Sequence, residues 1–101
     1  MPLGAKLDNI LVVDDDENIR DIIRIVLSKH YGLVFASNGQ EALDLFDPCK
    51  FDMILLDVKM PGLDGFTVCQ QLRKFTEIPT IMCSAIRVPA RIVRKYTLGI
   101  H

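Results

Sequence analysis

Three polar positions of this 101-residue chain share one local setting, each standing at the end of a short apolar run. Ile10-Leu11-Val12-Val13 leads into Asp14, Asp15 and Asp16, Met53-Ile54-Leu55-Leu56 leads into Asp57, and Thr80-Ile81-Met82-Cys83 leads into Ser84. Apolar runs of this length, separated by helix-like stretches, read as parallel strands buried on both faces. Parallel strands end on one edge of their sheet, and in open α/β sheets ligands bind at that carboxyl edge. Carboxylates gathered there repel one another unless a hard cation sits among them, and carboxylate and carbonyl oxygens suit Mg²⁺. The pattern points to metal-assisted phosphoryl chemistry rather than to a plain core.

The elements that would position these residues follow from periodicity. The first strand is expected over residues 9–14. A helix follows, starting near Asp16 or Glu17, with Ile19, Ile22, Ile23, Val26 and Leu27 on one apolar stripe. Ile25 falls off that stripe and implies a second covered flank. Gly32 punctuates, and residues 33–36 make a short second strand. Ser37-Asn38-Gly39 opens the next helix, with Ala42, Leu43 and Phe46 inward, and Asp47-Pro48 stops it. The third strand spans 51–57. Met60-Pro61-Gly62-Leu63-Asp64-Gly65 is a turn-rich loop. A third helix is expected over 65–74 with Phe66, Cys69 and Leu72 buried, a fourth strand over 78–84, and a fourth helix over 88–98. Pro89 is acceptable in the first turn of that helix, and Gly99 suits its C-terminal cap. Strands alternating with helices argue for an α/β fold with a parallel sheet covered on both faces.

Length and composition agree with one domain. Half the residues are hydrophobic, so a core is attainable without staples. The net charge of −1 gives no reason to expect a nucleic-acid or membrane surface. The charge is uneven: residues 1–85 carry a net −5 and residues 86–101 a net +4, from Arg87, Arg91, Arg94 and Lys95, which reads as a solvated helix face. Cys49, Cys69 and Cys83 are odd in number and scattered, as expected of reduced thiols in a cytoplasmic protein. Cys69 and Cys83 read as small core residues. His30 and His101 have no partner pattern. No apolar stretch approaches the ~18 residues of a membrane span, and residues 1–8 lack a signal-peptide core and read as a flexible leader.

At this point the residues match a family. The runs Ile10-Leu11-Val12-Val13-Asp14-Asp15-Asp16, Ile54-Leu55-Leu56-Asp57-Val58-Lys59-Met60-Pro61-Gly62-Leu63-Asp64-Gly65 and Ile78-Pro79-Thr80-Ile81-Met82-Cys83-Ser84-Ala85 resemble the receiver domain of two-component response regulators. Asn38-Gly39-Gln40-Glu41-Ala42-Leu43 resembles that family's second helix. The match places a receiver-like domain over residues 9–101. The resemblance implies a flavodoxin-like, doubly wound parallel sheet of strand order 2-1-3-4. It implies that Asp57 accepts a phosphoryl group from a sensor histidine kinase or phosphotransfer protein. It also implies that Asp14, Asp15, the Asp57 carboxylate and the backbone carbonyl of Lys59 hold Mg²⁺. Ser84 then matches the switch hydroxyl and Ala85 the small residue beside it. Such a domain is a phosphoacceptor, with at most weak self-catalysed phosphorylation and dephosphorylation, rather than an enzyme.

The chain also departs from the family's pattern. A complete receiver has five β-α units, and the fifth strand and helix are missing here. The family's lysine is absent, for Lys95 is not its equivalent, and Tyr96 does not replace the aromatic switch residue. The expectation is therefore a truncated receiver whose fourth strand becomes an edge. Such an edge, or the bared face near the first helix, would drive homo-oligomer formation. A signalling-incompetent assembly module is one alternative function. A phosphatase of the haloacid-dehalogenase type is another, since Asp14-x-Asp16 superficially fits its nucleophile motif. Blander roles compete residue by residue. Asp14 and Asp15 could cap a helix, although Asp16 is the better cap. Asp57 could be a turn residue, and Ser84 could satisfy a backbone group. Lys59 is either a solvated loop residue or a neighbour of the phosphoryl group.

Overall fold

The computed structural model describes residues 8–58 and 60–83. Seven elements alternate along the chain: β1 (Asn9–Val13), α1 (Glu17–Leu27), β2 (Gly32–Ala36), α2 (Gly39–Leu45), β3 (Met53–Asp57), α3 (Gly65–Arg73) and β4 (Thr80–Cys83). The four strands form one sheet of order β2-β1-β3-β4. Every pairing is parallel, with Val12 opposite Phe35 and Leu55, and Leu55 opposite Ile81. This is the doubly wound arrangement implied by the resemblance. Lys59, Ser84, Ala85, the helix expected over 88–98 and residues 1–7 of the expected leader lie outside the described residues. Asp8 is already tied into the fold, its carbonyl accepting the Gly32 N–H at 2.9 Å.

Strand alternation sorts the apolar residues onto two faces. Leu11, Val13, Ile54 and Leu56 join Ala36, Ala42, Phe51, Val68 and Leu72 in one buried cluster beneath α2 and α3. Ile10 and Val12 are as deeply buried on the opposite face. The α1 helix covers that face: its Arg24 guanidinium lies 4.6 Å from the ring centroid of Phe35, the residue paired with Val12. Each helix starts at a side chain that takes an otherwise orphan backbone N–H. Asp16 accepts from Asn18 N–H, Asn38 from Glu41 N–H and Asp64 from Thr67 N–H, each at 2.8 Å. Ser37 extends the second cap by donating to the Glu41 carboxylate at 3.2 Å.

The expected boundaries shift by one or two residues. The third strand begins at Met53 rather than 51, because Phe51 is drawn into the core and stacks on Phe46, ring centroids 6.2 Å apart. The fourth begins at Thr80 rather than 78. Three burial expectations are corrected. Phe66 is 62% exposed, because the inward stripe of α3 is phased on Gly65, Val68 and Leu72. Val26 is 61% exposed, because the apolar stripe of α1 is wider than the sheet surface the helix covers. Cys83 is exposed rather than a core residue, its alternation placing it opposite the Met82 side that meets the main cluster.

Candidate functional site

The sheet's carboxyl edge gathers the acidic residues. Val13 ends β1, so Asp14 and Asp15 are the first residues past that strand, and Asp57 is the last residue of the adjacent β3. Each of the three offers a carboxylate oxygen, and these oxygens lie within 4.8 Å of one another. Asp14 is 9% exposed and Asp57 6% exposed, so two of the three charges sit at the rim of the core.

Asp14 is held from several sides. Its N–H donates to Ala36 O at 3.1 Å, carrying the β1–β2 ladder one residue past the strand. Its Oδ1 accepts the Asp16 N–H at 2.9 Å. Its main-chain carbonyl accepts from Arg20 Nη1 at 2.7 Å. Burial raises the Asp14 carboxyl from 3.8 to about 6. The Asp16 N–H opposes that rise, and the charges of Asp57, Asp15 and Asp16 add to it. Cys83, in register with Asp57, reports the same field. Although it is exposed as a whole residue, desolvation raises its thiol, and the charges of Asp14 and Asp57 raise it further.

The turn after β3 is closed by backbone. Val58 N–H donates to Cys83 O and Gly65 N–H donates to Val58 O, both at 3.0 Å. Gly62 takes φ +79° within that turn, a conformation suited to glycine. Gly65 permits the close approach of α3 to β3. A Cβ there would stand 2.1 Å from Asp57 O and 2.8 Å from Val58 Cα. The carboxylate end of β3 is thus braced by a helix that can approach only because its first residue has no side chain.

The sequence-derived acidic pair and acceptor are therefore brought together, whereas Ser84 and Lys59 fall outside the described residues. The Asp16 side chain caps α1, the role the sequence favoured for it over Asp14 and Asp15. Two contributors escaped sequence reasoning. Arg20 carries no motif signal; it meets Asp14 only because the first turn of α1 rises beside the end of β1. Gly65 was visible as a turn residue, but its closeness to Asp57 is a tertiary fact.

The model of the response regulator receiver domain family matches residues 10–101. The chain belongs to the response regulator receiver domain family. A probable transcriptional regulator ycf27 from Cyanophora paradoxa is 49% identical over 91 residues, covering 89% of this chain and 38% of the relative. The transcriptional regulatory protein ResD of Bacillus subtilis is 41% identical over 91 residues, covering 89% of this chain and 38% of the relative. The receiver domain thus spans little more than a third of these curated relatives. Among solved structures, a chain from the complex of histidine kinase ThkA with response regulator TrrA superposes with a TM-score of 0.71 at 33% identity, covering 88% of this chain and 79% of that one. No helix among the described residues of the receiver is long and apolar enough to cross a membrane.

Proposed function

We propose that Asp57 is the phosphoacceptor of this receiver domain and takes its phosphoryl group from a sensor histidine kinase or phosphotransfer protein. The observation that carries the reading is the meeting of the Asp14, Asp15 and Asp57 carboxylates at one sheet edge, oxygens within 4.8 Å. An all-oxygen donor set of this charge fits Mg²⁺, with Asp14, Asp15, Asp57 and the Lys59 carbonyl as its protein ligands. When bound, the ion supplies positive charge for the carboxylates and for the transferring oxygens. Asp57 is the nucleophile. An oxygen of its carboxylate forms the new bond to phosphorus as the phosphorus–nitrogen bond to the donor histidine breaks, and the histidine keeps the electron pair and takes up a proton. The Gly65 approach and the paired Val58 backbone fix the main chain from which that carboxylate projects. Ser84 is the hydroxyl that turns toward the phosphoryl group. The free thiols Cys49, Cys69 and Cys83 suit a reducing compartment, and we assign the domain to the cytoplasm. Support for a kinase partner comes from the solved kinase–regulator complex among the structural neighbours.

Incubation with Mg²⁺ and acetyl phosphate, read by intact mass, tests the acceptor. The expected result is one added phosphoryl group, lost in Asp57→Asn and without Mg²⁺. Modification that survives Asp57→Asn would place the acceptor elsewhere.

A second reading, self-association, rests on one row of residues. Phe35, Val12, Leu55 and Ile81 run across the α1 face of the sheet. Val12 is buried under α1, Leu55 is half-buried and Ile81 is 50% exposed. Apolar exposure at β4, an edge of the described sheet, and at Val26 of α1 favours association through these surfaces.

A further inference from the structure

Arg20 is the basic side chain that reaches the candidate site among the described residues, and it makes an unexpected choice of partner. Its Nη1 donates to the main-chain carbonyl of Asp14, a residue of the acidic cluster, at 2.7 Å. The ion pair found among the described residues is one turn further along the same helix, Arg24 with Asp21 at 2.6 Å. We propose that Arg20 is a positioning residue for the metal site: its guanidinium fixes the Asp14–Asp15 peptide while leaving both carboxylates to the cation. The proposal rests on the Mg²⁺ reading above and deepens it.

The geometry shows why such a pin matters. The carbonyl of Asp14 belongs to the peptide that joins the two acidic residues. With φ and ψ as the backbone's soft dihedrals, the orientation of this peptide sets where the Asp15 side chain leaves the chain. Asp14 itself is held on its N–H by Ala36 and on its carboxylate by the Asp16 N–H. The carbonyl is the remaining point of attachment, and Arg20 takes it. Arg20 is itself fixed, because it sits in the first turn of a helix capped by Asp16, with its own N–H on Asp16 O at 3.1 Å. A planar guanidinium is always charged and is rigid in its donor geometry. Arg20 therefore links the helix to the loop bearing the ligands, as partners just outside a metal's ligand set do elsewhere.

Two physical effects of Arg20 oppose each other, and their signs differ. As a mere nearby positive charge, it would weaken cation binding, so removing it would tighten Mg²⁺. As a pin on the ligand loop, it would strengthen binding, so removing it would weaken Mg²⁺. We expect the pin to win, with affinity falling about tenfold, the lower end for loss of an outer partner of a metal site.

The experiment is calorimetric Mg²⁺ titration of the full chain at a temperature well below unfolding. The parent, Arg20→Met, Arg20→Gln and Arg24→Met are compared. Met keeps length and helix propensity without a donor, Gln is a neutral side chain of shorter reach, and Arg24→Met controls for loss of one helix charge away from the site. The expected result is weaker Mg²⁺ binding in both Arg20 variants and an unchanged constant in Arg24→Met. Should Arg20→Met fail to fold, as judged by far-UV circular dichroism, Arg20→Gln carries the same sign test. Equal or tighter binding in a folded Arg20 variant, with the parent binding Mg²⁺, overturns the Arg20 assignment alone. A parent that takes up no Mg²⁺ overturns the metal reading and this inference with it.

Discussion

Asp14 is a carboxyl whose surroundings disfavour its ionised form. Its environment holds the acid form up to about 6, burial being the chief cause. A carboxyl raised in the folded state binds its proton more tightly there than in the unfolded chain. Its contribution to stability is therefore fully present below about pH 4 and is lost as pH rises through about 6. In metal-free protein, Asp14→Asn should accordingly raise unfolding stability at pH 7.5 by about 1–2 kcal/mol, each pK unit being worth about 1.4 kcal/mol before solvent screening reduces it. The gain should largely vanish at pH 4. Urea titrations at the two pH values measure it, and an equal effect at both would show that the charge is not the cause. The same substitution should remove most of the Mg²⁺ response, because the cation replaces the proton as the group that offsets the charge. Asp57, at 6% exposure, stands in the same cluster of carboxylates as Asp14 and Asp15.

The elements around the site are held by caps and by one close approach. Asp16, Asn38 and Asp64 each take an orphan N–H, so the helix starts are fixed where the strand-end loops need them. Asn38→Ala should cost about 1 kcal/mol, as cap losses do, with little effect on phosphorylation, because Asn38 lies at the start of α2 and outside the acidic cluster. Gly65→Ala should behave differently. Its added methyl would meet backbone atoms of Asp57 and Val58 rather than a flexible side-chain end. A destabilisation of about 1–3 kcal/mol is expected from forcing the two elements apart, together with slowed phosphorylation of Asp57. Denaturant midpoints and the rate of mass increase measure the two effects. A folded Gly65→Ala with unchanged phosphorylation would mean that α3 does not brace the acceptor.

At the scale of the whole molecule, the cation should act as a ligand of the native state alone. Free Mg²⁺ at tenfold above its dissociation constant should add about 1.4 kcal/mol by mass action, and Asp15→Asn should remove most of that gain in thermal melts. An unchanged melting temperature in millimolar Mg²⁺ would count against the acidic cluster as a metal site. Self-association is measurable on the same material. Sedimentation at micromolar concentration should show a concentration-dependent dimer or larger species, weakened by Ile81→Lys, which puts a charge on the open end of the Phe35–Ile81 row. A monomer at every concentration would mean that these apolar residues are covered within one chain.

Much of this protein could be read from its residues because parallel strands leave a strong local signature. Continuous apolar runs at Ile10–Val13 and Met53–Leu56, each followed by Asp, identify buried strands and also the edge at which they end, because every strand of a parallel sheet points the same way. Asp16 and Asn38 were legible as helix starts because a cap is a local hydrogen bond, whereas Asp64 was read only as a turn residue. What the sequence could not decide is whatever depends on two elements meeting. The phase of α3 was misread at Phe66 because the residue that actually faces the sheet is Gly65, which has no hydrophobic side chain to announce it. The exposures of Val26 and Cys83 depend on how much sheet each neighbour covers, a matter of area rather than of pattern. The bond from Arg20 to the Asp14 carbonyl spans six residues and a change from strand to helix. Its existence follows from where α1 lands on the sheet, which only the tertiary packing sets.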